Sequence, residues 1–282
     1  MVKQVFKSVG LVARYDKKQA VELAKELADY LSNKGLEVCI ENTIAKKVDT
    51  PAKKVPLKNM KTDFIITIGG DGTILRTCLA VPDPEPPILA VNMGVRGFLT
   101  EVEPKDAYNA VDRTLKGEFK IEKCAKLAVS ADGKAMPDAL NDVVISAGEP
   151  SKILYTQICK DDEPILKCQA DGLILSTQTG STGYSLSAGG PVLDPEVETF
   201  VLTPICSLTV FRSIVFSADS KVTIEAIRPK EVLALIDGNY REVVISKKPT
   251  LTITRSKNVA SFIRFKDDFY HRLQSRLLFK GT

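Results

Sequence analysis

The sequence predicts an α/β protein with a parallel-sheet α/β domain first and a β-rich domain after it. Early in the chain, short apolar strands alternate with apolar positions at helical spacing, which is typical of a parallel sheet. Later, short segments with two-residue periodicity follow one another between turns. At about 150 residues per domain, 282 residues are enough for two domains. We place them at residues 1–118 and 119–260, followed by a C-terminal segment, 261–282.

The first domain is predicted from strands and helices that follow one another. Strands are expected at Val9–Ala13, Leu36–Ile40, Phe64–Ile68 and Ile88–Val91, and helices at Ala20–Leu31, Ile74–Ala80 and Pro104–Leu115. Gly35 and Gly117 follow two of these helices, where glycine tolerates the left-handed conformation of a helix end. The basic stretch Glu41–Lys61 is interpreted as a connection.

The second domain is predicted to consist mostly of strands. They are expected at Leu127–Ser130, Val143–Ser146, Leu154–Ile158, Gly172–Leu175, Val222–Ala226 and Val243–Ser246. Asp237-Gly238 predicts a hairpin between Val232–Ile236 and Arg241–Ile245, because a type I′ turn requires positive φ. From Ser261 onward, aromatic residues and leucines at helical spacing predict a segment that docks on a core.

Charge and composition exclude several classes of function. The net charge is +4, with 39 basic residues interleaved with 35 acidic ones, so a nucleic-acid platform is not expected. The densest basic stretch, Arg255–Lys280, is interpreted as a solvated helix face. Six cysteines without a Cys-x-x-Cys spacing are interpreted as small buried residues, and with His271 as the only histidine we expect no metal site. Without a signal or membrane segment, the protein is expected to be cytoplasmic.

One candidate site is the loop Gly69-Gly70-Asp71-Gly72-Thr73, which joins a buried strand to a helix. Unpaired amides at a helix start bind phosphate, and the glycines let a ligand approach the main chain. Neither the P-loop nor the dinucleotide fingerprint matches. Asp71 would repel phosphate unless it takes a proton, binds a metal or orients a hydroxyl. The alternative is a tight turn in which Thr73 is the helix N-cap.

A second candidate is the uncharged stretch Gly172–Leu193, 22 residues rich in Gly, Ser and Thr. Five hydroxyl side chains lie within Ser181–Ser187, which suits sugar hydroxyls or an amide. The alternative is a buried strand and its connection. Asn141-Asp142 and Asp171 each precede a predicted strand. Each alone is interpreted as a turn residue, and they become candidates only as a set.

Together these residues resemble the NAD kinases, which transfer the γ-phosphoryl group of ATP, or in some members of polyphosphate, to the adenosine-ribose 2′-hydroxyl of NAD. The resemblance covers nearly the whole chain. It depends on the Asp71 loop and on further segments: Asn92-Met-Gly94 with Gly97-Phe98-Leu99, Asn141-Asp142, Asp171-Gly172, Thr179–Pro191 and Asp237-Gly238.

The resemblance implies a homodimer or homotetramer, a C-terminal segment that returns to the first domain, and Mg²⁺ bound with ATP. It implies that Asp71 is the catalytic base. Residues implied to bind NAD are Gly72, Phe98, Asn141, Asp142, Asp171, Thr182, Gly183, Tyr184, Ser187 and Asn239. Residues implied to meet ATP or its phosphates are Gly69, Gly70, Thr73, Arg76 and Lys152.

Some positions depart from the family pattern, among them Asp142 where Glu is more frequent and Asn239 where Gln is common. These departures concern the choice between NAD and NADH and the phosphoryl donor. Two alternatives are a diacylglycerol or sphingosine kinase-like enzyme, which would need an apolar acceptor pocket, and a non-catalytic dinucleotide-binding module, for which Asp71 would have no use.

Overall fold

The computed structural model describes residues 6–94, 97–149, 152–266 and 269–277. Two compact units divide the chain: Met1–Lys123 with Ala260–Thr282, and Cys124–Val259. The helices of the described part are α1 (Lys18–Asn33), α2 (Asn42–Ala45), α3 (Asp71–Ala80), α4 (Ala107–Lys116), α5 (Tyr184–Ser187) and α6 (Phe269–Leu277). None of them is long and apolar enough to cross a membrane.

The strands of the first unit form a parallel sheet in the order β3-β2-β1-β4-β5. They are β1 (Ser8–Ala13), β2 (Glu37–Glu41), β3 (Lys53–Val55), β4 (Phe64–Gly69) and β5 (Ile88–Asn92). Every residue of β4 is buried, which suits a strand covered on both faces. α1 contributes a buried apolar stripe from Ala20 to Leu31 to the same core. The predicted parallel α/β domain is confirmed.

The second unit is built from antiparallel strands. They are β6 (Lys120–Ala131), β7 (Lys134–Ala135), β8 (Asp142–Ala147), β9 (Leu154–Lys160), β10 (Glu163–Ala170), β11 (Gly172–Ser176), β12 (Thr199–Ile205), β13 (Ile214–Ser217), β14 (Val222–Arg228), β15 (Glu231–Ile236), β16 (Tyr240–Ile245) and β17 (Thr250–Arg264). Of these, β6 begins in the first unit and β17 ends in it. One sheet has the order β13-β12-β11-β8-β15-β16, and β10-β9-β14-β17 are paired in another. The predicted β-rich domain is confirmed.

The structure also confirms the predicted hairpin. Asp237 and Gly238 both have positive φ, 49° and 66°, between β15 and β16. The amide of Asn239 donates to the carbonyl of Ile236 over 3.0 Å, which closes the turn. These are the values that a type I′ turn requires.

Several predictions were wrong in detail. The connection Glu41–Lys61 contains α2 and a third parallel strand, β3. The tail does not become helical at Ser261, since β17 continues to Arg264 and its Phe262 pairs with Ile88 of β5. The first ten residues of the basic stretch, up to Arg264, therefore belong to a strand, and Arg264 is only 5% exposed. Of the cysteines, Cys124 and Cys159 are half-buried and Cys206 is exposed, so only the other three are buried.

Candidate active site

The glycine loop lies at the carboxyl end of β4. Helix α3 begins at Asp71, three residues earlier than predicted, with Gly70 as an extended N-cap. Thr73 is not the N-cap; its amide donates to the carbonyl of Gly70 over 2.9 Å. A Cβ at Gly69 would lie 2.2 Å from the Thr73 Oγ1, whereas Gly70 and Gly72 have open space at that position. Glycine at position 69 therefore permits close packing against Thr73, whereas glycine at positions 70 and 72 leaves the loop open to a ligand.

Asp71 is held by the chain that follows β5. Its Oδ2 accepts a hydrogen bond from the amide of Phe98 over 2.9 Å, and its Oδ1 accepts one from the amide of Leu99 over 3.1 Å. A carboxylate has about four lone-pair directions, so these bonds are compatible with accepting a hydroxyl proton. The two amides fix the orientation of a side chain that is only half-buried.

The segment that binds Asp71 is itself fixed. A Cβ at Gly97 would lie 2.1 Å from the Asp71 Oδ1, so glycine is what lets the two approach. Arg264 donates from its Nη1 to the carbonyl of Leu99 over 2.8 Å and from its Nε to Glu122 over 2.6 Å. Glu101 is the second carboxylate near this guanidinium, at 3.5 Å. A buried ion-pair group therefore supports the backbone that orients Asp71.

Arg76, predicted to meet phosphates, is paired within the fold. Its Nη2 donates to the Glu41 Oε2 over 2.8 Å, and its Nη1 pairs with the other carboxylate oxygen. The Glu41 side chain is 4% exposed and that of Arg76 is 30% exposed. A bidentate pair holds the guanidinium in one orientation and neutralises part of its charge. Lys152, the other predicted cation, pairs with Glu149 over 2.6 Å at the surface.

In the second unit, Asn141 and Asp142 lie at a tight corner where β8 begins. The carboxylate of Asp237 accepts from three successive amides there: Leu140 over 2.8 Å, Asn141 over 2.8 Å and Asp142 over 3.0 Å. The amide of Asp237 in turn donates to the carbonyl of Asp142 over 3.0 Å. The predicted residues are thus placed by Asp237, which sequence reasoning used as a turn former and as part of the family pattern but did not assign to the site.

The electrostatics of this corner are unusual because two carboxyl groups are buried together. Burial, and secondly the negative charge of Asp237, raises the pKa of Asp142 to about 7. Burial also raises the pKa of Asp237, although its three amide bonds and the charge of Lys126 oppose that shift. Asp142 therefore changes its charge within the physiological pH range.

The hydroxyl-rich stretch after β11 makes most of its hydrogen bonds internally. Ser185 bonds with Thr203 over 2.9 Å, Ser181 donates to the carbonyl of Gln178 over 2.6 Å, and Thr182 donates to the carbonyl of Thr179 over 3.1 Å. Tyr184 is 46% exposed. The hydroxyls of Ser181 and Ser185 thus serve the fold, as the alternative interpretation expected, while Tyr184 presents its ring to solvent.

The structure brings some predicted residues together and separates one. A Cβ at Gly183 would lie 3.9 Å from the Asn141 Nδ2, so that loop adjoins Asn141. Asn239, exposed in the hairpin turn, donates to the carbonyl of Asp237 over 2.7 Å. Asp171 lies at the other end of β11, because Ser176 pairs with Asp142. At about 3.3 Å per residue, the five residues from Asp171 to Ser176 place Asp171 roughly 17 Å from Asp142 along the sheet.

A cleft of about 750 Å³ opens beside Gly97 in the first unit. The cations in its lining are outside the predicted set: Lys105, Arg113, Lys266 and Arg272. Glu101, Glu103 and Asp106 line it as well. Sequence reasoning missed these residues because they come from α4, the turn before it and the C-terminal segment, and no local motif connects those segments.

A glycine loop at the carboxyl edge of a parallel sheet, with a helix that begins there, defines a nucleotide-binding protein of the α/β class. Comparison with known proteins gives the family. Residues 9–119 match the model of the ATP-NAD kinase N-terminal domain, and residues 140–265 match that of the ATP-NAD kinase C-terminal domain. The chain belongs to the NAD kinase family.

Individual relatives support this family assignment. An NAD kinase of Methanothermobacter thermautotrophicus is 40% identical over 97% of this chain and 97% of its own. The crystal structure of an Archaeoglobus fulgidus NAD kinase in complex with ATP has a TM-score of 0.78 at 26% identity, covering 95% of this chain and 99% of that one. Yeast NADH kinase in complex with NADH shares the fold, with a TM-score of 0.90 at 22% identity, covering 98% and 89% of the chains. The lipid kinase and non-catalytic alternatives gain no support.

Proposed function

We propose that this protein transfers the γ-phosphoryl group of ATP to the adenosine-ribose 2′-hydroxyl of NAD, forming NADP and ADP. The observation that carries the proposal is Asp71: a carboxylate at the start of α3, oriented by the amides of Phe98 and Leu99 beside an open glycine loop. The identities of the phosphoryl donor, ATP, and of the acceptor, NAD, are inferred from membership of the family. Phosphoryl transfer depends mainly on positioning and charge neutralisation, both of which this loop can supply.

In this proposal each predicted residue keeps a stated role. Asp71 accepts the hydroxyl proton. Loop amides and the open positions at Gly70 and Gly72 receive phosphate, with Gly69 and Thr73 shaping the loop, and Arg76 and Lys152 contribute charge. The residues proposed to bind NAD are Gly72, Phe98, Asn141, Asp142, Asp171, Thr182, Gly183, Tyr184, Ser187 and Asn239.

We propose that Mg²⁺ arrives with ATP. Among the residues that the structure describes, no three His, Cys, Asp or Glu side chains cluster so as to hold a metal ion. Mg²⁺ keeps several waters and is commonly bound through substrate phosphates with one or two carboxylates. The ion would neutralise triphosphate charge, while the proton transfer remains a task of Asp71.

The test is Asp71→Asn. We expect NADP formation to slow by at least about 10²-fold while NAD binding persists, because the amide cannot take the proton. NADP and ADP are measured together in a coupled assay with NAD, NADH and a lipid acceptor. Asp63→Asn is the matched control, since the Asp63 Oδ2 also accepts two successive amides, Lys7 over 2.7 Å and Ser8 over 2.8 Å.

Two outcomes decide the proposal. An Asp71→Asn protein as fast as the parent would remove the base mechanism. Phosphorylation of the lipid acceptor in place of NAD would contradict the assigned acceptor. Asp63→Asn is expected to keep the parent turnover, so a loss in both variants would indicate damage to the fold.

The protein is also proposed to act in the cytoplasm as a homodimer or homotetramer. None of the six cysteines forms a disulfide, which suits a reducing compartment. Asp171, remote from Asp142 within one chain, is consistent with a role that a second copy completes. Light scattering on the purified protein measures the assembly, and limited proteolysis tests the proposed boundaries 1–118, 119–260 and 261–282.

A further inference from the structure

The corner at Asn141 is fixed on its amide side by one buried carboxylate. Asp237 is 4% exposed and binds the amides of Leu140, Asn141 and Asp142. A carboxylate that accepts backbone amides makes hydrogen bonds stronger than those between neutral groups. Three successive residues are therefore held by a single side chain from a hairpin almost one hundred positions later.

The carbonyl side of the corner is fixed as well. The amide of Thr177 donates to the carbonyl of Asn141 over 2.9 Å, and its Oγ1 donates to the carbonyl of Leu140 over 2.7 Å. A Cβ at Gly180 would lie 1.9 Å from the Asn141 oxygen, so this approach requires glycine. Backbone movement at Asn141 is restricted from both directions.

The side chain of Asn141 is in the opposite situation. Its Oδ1 is buried and accepts no hydrogen bond within the part of the chain that the structure describes. A buried acceptor without a partner is costly, so an atom left in that state points to a ligand that supplies the donor. The backbone amide and carbonyl of Asn141 thus have hydrogen-bond partners, whereas its side-chain oxygen is available to a ligand.

We propose that Asp237 is a positioning residue for NAD: it holds the corner so that the side chains of Asn141 and Asp142 meet the dinucleotide. This rests on the proposed function, in which those two residues bind NAD. Asp237 itself touches no substrate in this account. The residue acts through the amides that it binds.

Charge adds a second consequence that can be measured. The groups that face Asp142 and Asp237 are each other and, on β6, Lys126. The negative charge of Asp237 contributes to the raised pKa of Asp142, which is about 7. Replacing Asp237 by a neutral residue should lower the pKa of Asp142, so that Asp142 ionises at lower pH.

The experiment compares Asp237→Asn with Asp132→Asn. Asp132 is the matched control: it also has positive φ, 46°, precedes a glycine in a hairpin, and accepts one amide, that of Thr250, over 2.9 Å. KM for NAD, KM for ATP and kcat are measured, and kcat/KM for NAD is followed from acid to alkaline pH. Thermal unfolding reports on folding.

For Asp237→Asn we expect KM for NAD to rise about tenfold or more with KM for ATP unchanged, because hydrogen bonds to a charged group are lost. In the parent, kcat/KM for NAD should rise as Asp142 ionises near pH 7, and in Asp237→Asn that rise should move to lower pH. Asp132→Asn should change neither. Loss of folded protein alone, with both kinetic readouts like the parent, overturns the proposal.

Two further variants keep the result decisive. If Asn141→Ala leaves KM for NAD unchanged, the proposed function of this corner fails, whereas a raised KM there with a normal Asp237→Asn overturns only the positioning role. If Asp237→Asn does not fold, Thr177→Val loosens the same corner by removing the bond to Leu140. A parent-like KM for NAD in Thr177→Val then overturns the proposal.

Discussion

Both candidate regions depend on hydrogen bonds from backbone amides to a carboxylate, but they differ in which partner is held in place for the substrate. In the first unit, Asp71 is the proposed catalytic base, and its own oxygens accept hydrogen bonds from the amides of Phe98 and Leu99. In the second unit, the oxygens of Asp237 accept hydrogen bonds from backbone amides. The side chains proposed to meet substrate are those of Asn141 and Asp142, two of the residues that donate these amides. One arrangement orients a carboxylate; the other orients a backbone.

The difference shows how each region tolerates change. Asp71 depends on a neighbouring segment and on the ion-pair group behind it, so remote substitutions can disturb it. Asp237 is fully enclosed and sits beside Asp142, so that region depends on protonation. We expect the first region to respond mainly to packing and the second mainly to pH, and three variants test this contrast.

Arg264→Met should have the largest effect, lowering the free energy of unfolding by about 3–5 kcal/mol, because two carboxylates lose a buried cation. Urea denaturation measures it. The matched control on the same strand is Arg255→Met, whose exposed pair with Glu198 spans 2.8 Å; this should cost no more than about 1 kcal/mol. Equal losses would show that the first region has no special buried support.

Asp142→Asn should alter how stability depends on pH. The pKa of Asp142 is raised from 3.8 to about 7 in the folded protein, so its contribution to stability is present at low pH and is lost as pH rises through 7. The loss is at most about 4 kcal/mol.

Free energies of unfolding at pH 5 and pH 8 check this. The Asn variant should lose less stability than the parent between them, while the exposed Asp132→Asn should follow the parent. If all three proteins show the same pH dependence, the buried carboxyl pair does not govern this region.

Gly97→Ala should leave the fold intact and lower kcat about a hundredfold, equivalent to about 2.7 kcal/mol. Its methyl group would lie 2.1 Å from the Asp71 Oδ1, and rotating the carboxylate away is easier than moving backbone. Gly94→Ala is the control, since a Cβ there meets nothing within 4 Å. Steady-state kinetics at saturating NAD separates them, and normal turnover in Gly97→Ala would mean that the orientation of Asp71 is immaterial.

The fold was predictable where the signal is local. Buried strands such as β4 are continuous apolar runs, and the helices preceding Gly35 and Gly117 end at glycines with positive φ. The prediction of secondary structure failed where pairing with a distant strand decides the conformation. β3 is short and exposed, and the spacing of Phe262 and Phe265 was interpreted as helical although β5 supplies a strand partner for Phe262.

The candidate site divides in the same way. Asp71 stands in a recognisable glycine loop, and Asn141 and Asp142 became candidates through the family resemblance, so the sequence was enough to propose all three. The side chains that hold them come from far along the chain: Asp237 is 96 positions from Asn141, Glu41 is 35 from Arg76, and Arg264 is 165 from Leu99. No spacing in the sequence indicates such pairs before the fold is known.

The division of β17 between the units has a consequence for how the protein is made. Residues 124–259 are continuous, so a ribosome delivers that whole unit in one stretch. The first unit instead waits for Phe262, which pairs with Ile88, and for Arg264, which bonds to Leu99. The first unit is therefore completed only after the whole second unit has been synthesised, and until then β5 of its nascent sheet lacks its β17 partner.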